Sequence, residues 1–211
     1  MTRTQAAEVP IATISVSAGD RAPIIRRPNP QDALDLAQAT FVSGVRVEMA
    51  RLAAQLGISQ PTLYRWLGTR EQLLDRVLER LTDEFLALAI AEARGDGDER
   101  VLDFVRRMMN TTAAFEPGLT FVAREPQLAL RLVLAETGAV HRRLARALRT
   151  VIGETRPQDQ AHALDHKVDL AIRVCTGLQW ASVAVGDDPQ VEGAVEVVRA
   201  LLSTGGPLRR P

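Results

Sequence analysis

His162 and His166 stand four residues apart, and Asp165 and Asp169 lie beside them. On a helix the two imidazoles share one face and can grip a divalent metal. A hydrolytic centre of that spacing places a glutamate after the first histidine, where this chain has Ala163. The set therefore offers a regulatory metal site at most, and an exposed, solvated helix start is the default reading. Cys175, the single cysteine, excludes an intrachain disulfide and sits in an apolar stripe, which suits an inert thiol better than a nucleophile. A third group is different in kind. Between Ser59 and Arg70 the hydroxyls of Ser59, Thr62 and Tyr64, the amide of Gln60 and the guanidinium groups of Arg65 and Arg70 alternate with Leu63 and Leu67. Side chains of these types can serve phosphate or base edges, and they are also ordinary on a solvated helix surface.

The elements that would carry these residues are helical throughout. Asn29 can cap a first helix that Pro30 opens and that Leu34, Ala37, Phe41 and Val42 stripe as far as Gly44. Met49, Leu52, Ala53 and Leu56 form a second stripe that Gly57 stops, and Ser59 caps a third helix over Gln60 to about Trp66, with Pro61 early in it. Thr69 and Gln72 fit a capping box that opens a long helix with Leu73, Leu74, Val77, Leu78, Leu81, Phe85 and Leu88 inward. Gly95-Asp96-Gly97-Asp98 interrupts the chain. The next stripe is Val101, Phe104, Val105, Met108, Thr112 and Phe115, followed by breaks at Glu116-Pro117-Gly118 and Glu125-Pro126. Later stripes occupy roughly 140–152, 158–185 and 189–203. No strand alternation and no repeat appears, so the expected fold is all-α.

With 26 basic against 26 acidic residues, no overall positive charge announces a nucleic-acid partner, and any DNA site has to be local. Every basic residue but Lys167 is arginine. The stretch Ile11–Val16 is too short and polar for a secretory core, and no apolar run approaches the ~18 residues of a membrane span, so the expectation is a cytoplasmic protein without a membrane partner. No Gly-rich phosphate loop, nucleophile elbow or acid pair is found. The expectation is no enzyme, no catalytic residue, no cofactor and no resident metal.

Leu52-Ala53, Leu56-Gly57-Ile58-Ser59 and the run from Thr62 to Leu74 resemble the DNA-binding signature of the tetracycline-repressor (TetR) family over roughly residues 30–80. The resemblance implies an N-terminal three-helix helix-turn-helix domain, residues 29–80. A long helix joins it to a C-terminal helical domain, residues 81–204, that binds an effector and dimerises. An arm (1–28) and a tail (205–211) flank the two. It implies a repressor that binds a near-palindromic double-stranded DNA operator as a homodimer and is released by a small-molecule effector. Ser59, Gln60, Pro61, Thr62, Tyr64, Arg65 and Arg70 would form the DNA face. Tyr64 and Arg70 would meet phosphates, Thr62 the groove wall and Gln60 the bases, while Arg65 has either a phosphate or a guanine edge as partner. One departure stands out: Val47-Glu48 replaces the hydroxyl pair that caps the second helix in the family. Arg26 and Arg27 of the arm are candidates to make good the lost phosphate contact, with a disordered, idle tail as the favoured alternative for residues 1–28.

By the same resemblance the effector pocket lies between the long fourth helix and later ones, with Phe85, Phe104, Met108, Thr112, Phe115, Phe121, Cys175 and Gln179 as its expected lining. Such a wall suits a small, mainly lipophilic molecule held by one or two hydrogen bonds, although Met and Phe at helical spacing also describe ordinary core. Arg124-Glu125-Pro126-Gln127-Leu128-Ala129 and Cys175-Thr176-Gly177-Leu178-Gln179-Trp180 are similar to regulators of quorum-signal (lactone) degradation, which makes a lactone one candidate effector. A constitutive DNA binder without effector and a metal-responsive regulator remain the alternatives.

Overall fold

The computed structural model describes residues 27–155 and 161–203. Among them there are helices and turns but no strand. Helix α1 spans Pro30–Val42, α2 Met49–Leu56, α3 Gln60–Leu67 and α4 Arg70–Glu92. Local chemistry sets these ends. Asn29 Oδ1 accepts from the backbone of Gln31 and Asp32, and Asp32 accepts from the Asn29 backbone in return, a reciprocal cap beyond the single one expected. Gly57 closes α2 at φ 65, where a side chain would be strained. Ser59 Oγ accepts from Thr62 N at 3.3 Å, and Thr69 and Gln72 form the expected capping box. Glu48 gives α2 no side-chain cap, in keeping with the missing hydroxyl pair.

The second half comprises α5 (Asp98–Ala113), α6 (Glu116–Arg124), α7 (Pro126–Leu134), α8 (Ala139–Thr155), α9 (Ala161–Thr176), α10 (Ser182–Val185) and α11 (Val191–Ser203). The sequence marks at Glu116-Pro117-Gly118 and Glu125-Pro126 are helix starts, each with proline in the first turn where no N–H is missed, so two nine-residue helices stand where only breaks were expected. The stripe at 158–185 is not one α-helix. Gly177–Ala181 forms a π turn between α9 and α10. The run Leu164–Val185 is long and apolar enough to cross a membrane by length and composition, contrary to the sequence expectation; 28% of its apolar window is buried within the chain.

Two cores result. One gathers α5, α8, α9, α11 and the outer half of α4. The other joins α1–α3 and the first half of α4 to Phe121, Val122, Ala129 and Leu132 of α6 and α7. The helix-turn-helix bundle thus shares its core with residues from beyond the expected boundary at 80. Along α4 the inward side is Leu73, Leu74, Val77, Leu81, Thr82, Leu86 and Ala89. Leu88, expected inward, is 49% exposed, because the contact switches from the small bundle to α5 and α8 partway along the helix.

Candidate nucleic-acid interface and ligand cavity

Helix α3 turns Leu63 and Leu67 into the bundle and leaves Gln60, Pro61, Tyr64 and Arg65 exposed, Tyr64 by 46%. Ala53 of α2 is buried where the two helices meet. Ser59 is exposed as well, and its hydroxyl lies 2.9 Å from that of half-buried Thr62. Six of the seven residues expected to face DNA therefore form one continuous surface at the N-terminal end and outer side of α3. Exposed Arg51 of α2, which motif reading passed over, adds a positive charge on the preceding helix.

Arg70 is placed otherwise. Its Nη1 and Nη2 donate to Glu125 Oε2 and Oε1 at 2.8 and 2.7 Å, and its Nε donates to the Val47 carbonyl at 2.6 Å. Arg46 Nε reaches the same Glu125 at 3.2 Å, and Arg124 Nη1 donates to the Gly44 carbonyl at 3.3 Å. Glu125 joins α6 to α7, and the Arg70 hydrogen bonds hold its carboxyl below the usual carboxylate range against the opposing effect of burial. The guanidinium expected at a phosphate instead ties the start of α4 to the second half of the chain. Sequence spacing gave no signal for this, since the partners are 55 residues apart.

Above this joint a cavity of about 100 Å³ opens between α4, α5, α6, α8 and α9. All eight expected lining residues, Phe85, Phe104, Met108, Thr112, Phe115, Phe121, Cys175 and Gln179, are on its wall, and Thr82, Thr176 and Trp180 join them. Among the described residues that line it, none is charged. Burial pushes the Cys175 thiol up to about 12, so it stays neutral. The wall reaches the first helices through aromatic contacts: Phe85 meets Phe115 edge-on at 5.1 Å, Phe41 of α1 stacks on Phe115 at 6.4 Å and meets Phe121 edge-on at 5.4 Å.

The suggested metal set is divided among other partners. Asp165 accepts from Arg149 Nε at 2.6 Å, and Asp169 pairs with His141 at 2.9 Å and Arg173 at 2.7 Å. The side chain of His162 lies outside the described residues, as do Arg26, most of the arm and the tail. Arg27 is described and exposed.

A family model described as the tetracyclin repressor-like C-terminal domain matches residues 96–203, just over half of the chain. The chain belongs to the TetR family. That match lies wholly beyond the helix-turn-helix, whose motif resembles the same family from the other end. No curated protein matches this TetR chain. Among solved structures, the TetR-family transcriptional repressor QsdR from R. erythropolis superposes with TM-score 0.77 at 23% identity, covering 86% of this chain and 97% of that one. The TetR-family repressor AlkX from Dietzia sp., implicated in n-alkane biodegradation, gives 0.59 at 17% identity, covering 84% and 95%. A TetR-family regulator from Streptomyces coelicolor gives 0.51 at 18%, covering 82% and 78%. These likenesses concern the fold: this TetR chain has the architecture of DNA-binding, helix-turn-helix transcriptional repressors.

Proposed function

We propose that this TetR-family chain works as a homodimeric repressor that holds a near-palindromic operator and releases it when a small, mainly lipophilic molecule enters the cavity. The observation that carries the reading is the joint between the two halves. The cavity walls Phe115 and Phe121 pack on Phe41 of the DNA-binding bundle, and Glu125, directly after α6, grips Arg70 at the head of α4. A ligand that moves α6 moves both contacts.

On the DNA side, Gln60 faces the bases, the Tyr64 hydroxyl meets a phosphate and Thr62 sits at the groove wall, a reading supported by the exposure of the N-terminal end of α3. Arg65 takes a phosphate or a guanine edge, with Ser59 and Pro61 at the rim. Arg70 sets the angle of α4 rather than reaching DNA by its side chain, although the amide end of α4 still attracts phosphate. Arg26 and Arg27 supply an additional backbone or minor-groove contact.

One helix-turn-helix reads only a few base pairs, so two copies about 34 Å apart are required for a selective site. The run Leu164–Val185, with Leu170 and Val185 exposed, together with α11 forms the dimer face, which accounts for its apolar character without a membrane. The effector releases the operator through its different affinities for two separations of the α3 pair. A lactone is one candidate class.

The test is selection of genomic DNA by the purified protein, followed by fluorescence anisotropy on the enriched sites. Two protomers per site and a steep salt dependence are expected. A folded preparation that prefers no selected site over random competitor, even at low salt, overturns the proposal.

A further inference from the structure

The cavity wall has very few polar atoms to spare, and their identity constrains what can occupy it. Gln179 is 5% exposed and stands in the π turn, which brings it and its neighbour Trp180 both onto the wall. Turns of this kind are rare and concentrate at functional sites. The Gln179 amide has one possible orientation. Its Nε2 donates to the Met109 carbonyl at 3.1 Å and to Thr112 Oγ1. A carbonyl only accepts, so nitrogen must face Met109 and the oxygen is left over.

The neighbouring hydroxyls are already committed. Thr112 donates to the carbonyls of Met108 and Met109 at 2.9 and 3.1 Å, and Thr176 to that of Ile172 at 2.7 Å. Among the described residues, three polar side chains of the wall keep an atom that makes no hydrogen bond within the chain: Gln179 its Oε1, which can only accept, Thr82 its hydroxyl, and half-buried Trp180 its indole N–H. No charged side chain faces the space, so a carboxylate or ammonium group would be buried unpaired there.

We propose that the cavity selects neutral, mainly apolar molecules carrying an N–H or O–H donor for Gln179 Oε1, with the Thr82 hydroxyl as the second polar contact. The inference rests on the cavity being the effector site and adds its rule of choice. A secondary amide meets both contacts, its N–H serving Gln179 and its carbonyl accepting from Thr82. An alkyl lactone presents acceptors only and leaves Gln179 Oε1 unfilled. Thr82 lies on α4, so a molecule that binds both atoms spans the π turn and the helix that carries the DNA-binding bundle.

The experiment uses N-pentylacetamide, its N-methylated tertiary amide and pentyl-γ-lactone, with hexanoate as the charged comparator. Each is titrated by calorimetry into the full chain and into Gln179→Met. The ε-methyl signals of Met108 and Met109 report occupancy, and that of Met49, in the small bundle, serves as the distant control. In the wild type the secondary amide binds about tenfold or more tightly than the N-methyl amide or the lactone, because an unfilled buried acceptor costs that much. Hexanoate does not bind, and Gln179→Met abolishes the preference. If the secondary and tertiary amides bind alike at the Met108 and Met109 signals, or the preference survives in Gln179→Met, the donor rule is wrong while the cavity remains an effector site. If none of the four disturbs those signals, the effector-site reading falls and the rule falls with it.

Discussion

Replacing Glu125 by glutamine keeps the shape of the side chain and one acceptor oxygen but removes the charge that Arg70 and Arg46 share. Ion pairs on an open surface are worth about 0.2–1 kcal/mol, and breaking one that is fully buried costs about 3–5 kcal/mol. The Arg70 and Glu125 side chains are 23% and 15% exposed, their contact is bidentate, and the Arg70 Nε is fixed by the Val47 carbonyl. A coupling energy of about 2 kcal/mol between the two follows, midway between those limits. A double-mutant cycle of Arg70→Met and Glu125→Gln, by urea unfolding at one fixed protomer concentration, measures it. The same energy sets the functional effect. If the pair belongs to the ligand-free, operator-binding arrangement, its loss shrinks the ligand-induced fall in operator affinity by up to about thirtyfold. Anisotropy titrations of Glu125→Gln with and without a cavity ligand read this directly. A coupling below about 0.5 kcal/mol, or a variant that responds to ligand as the wild type does, refutes the role given to the joint.

Because its folded pKa lies below its unfolded one, Glu125 contributes stability that is complete above the unfolded value near 4.5 and is lost as pH falls through the lower folded value. The acid limb of the stability curve should therefore flatten in Glu125→Gln, and an unchanged limb contradicts the assignment. Tyr64→Phe should weaken operator binding about fivefold at every sequence, whereas Gln60→Ala should relax preference at one base pair; selection on randomised half-sites separates the two outcomes. Gly68 has φ 74, and a Cβ there would meet Gln72 Oε1, so Gly68→Ala should cost about 2 kcal/mol by breaking the Thr69 capping box, as thermal unfolding will report. Cys175, half-buried on the cavity wall with its thiol pushed up to about 12, should react with thiol reagents much more slowly than a free thiol at neutral pH; labelling as fast as that of an exposed thiol would count against its neutral state.

The ends of α1, α3 and α4 were legible because capping is written within three or four residues, and Asn29, Ser59 and Thr69 each stand beside the groups they satisfy. The outward side of α3 followed from the family resemblance, and the structure buries Leu63 and Leu67 opposite exposed Tyr64 and Arg65 because a short helix against one small core has a single buried side. The eight lining residues followed from family resemblance combined with helical spacing, and the structure brings them to one cavity. Leu88 was misread because α4 changes partners along its length, which no fixed period can express.

What sequence alone determined about this protein is the all-α architecture and the helix-turn-helix surface, both products of local hydrogen bonding and of one repeating apolar face. Tertiary packing decided the rest. It gave Arg70 a carboxylate from 55 residues away, linked the cavity wall to Phe41, and left the Gln179 oxygen without a partner. Those outcomes depend on which helices meet. Contacts between distant segments are fixed by the total burial of the folded chain, and no window of neighbouring residues contains that information.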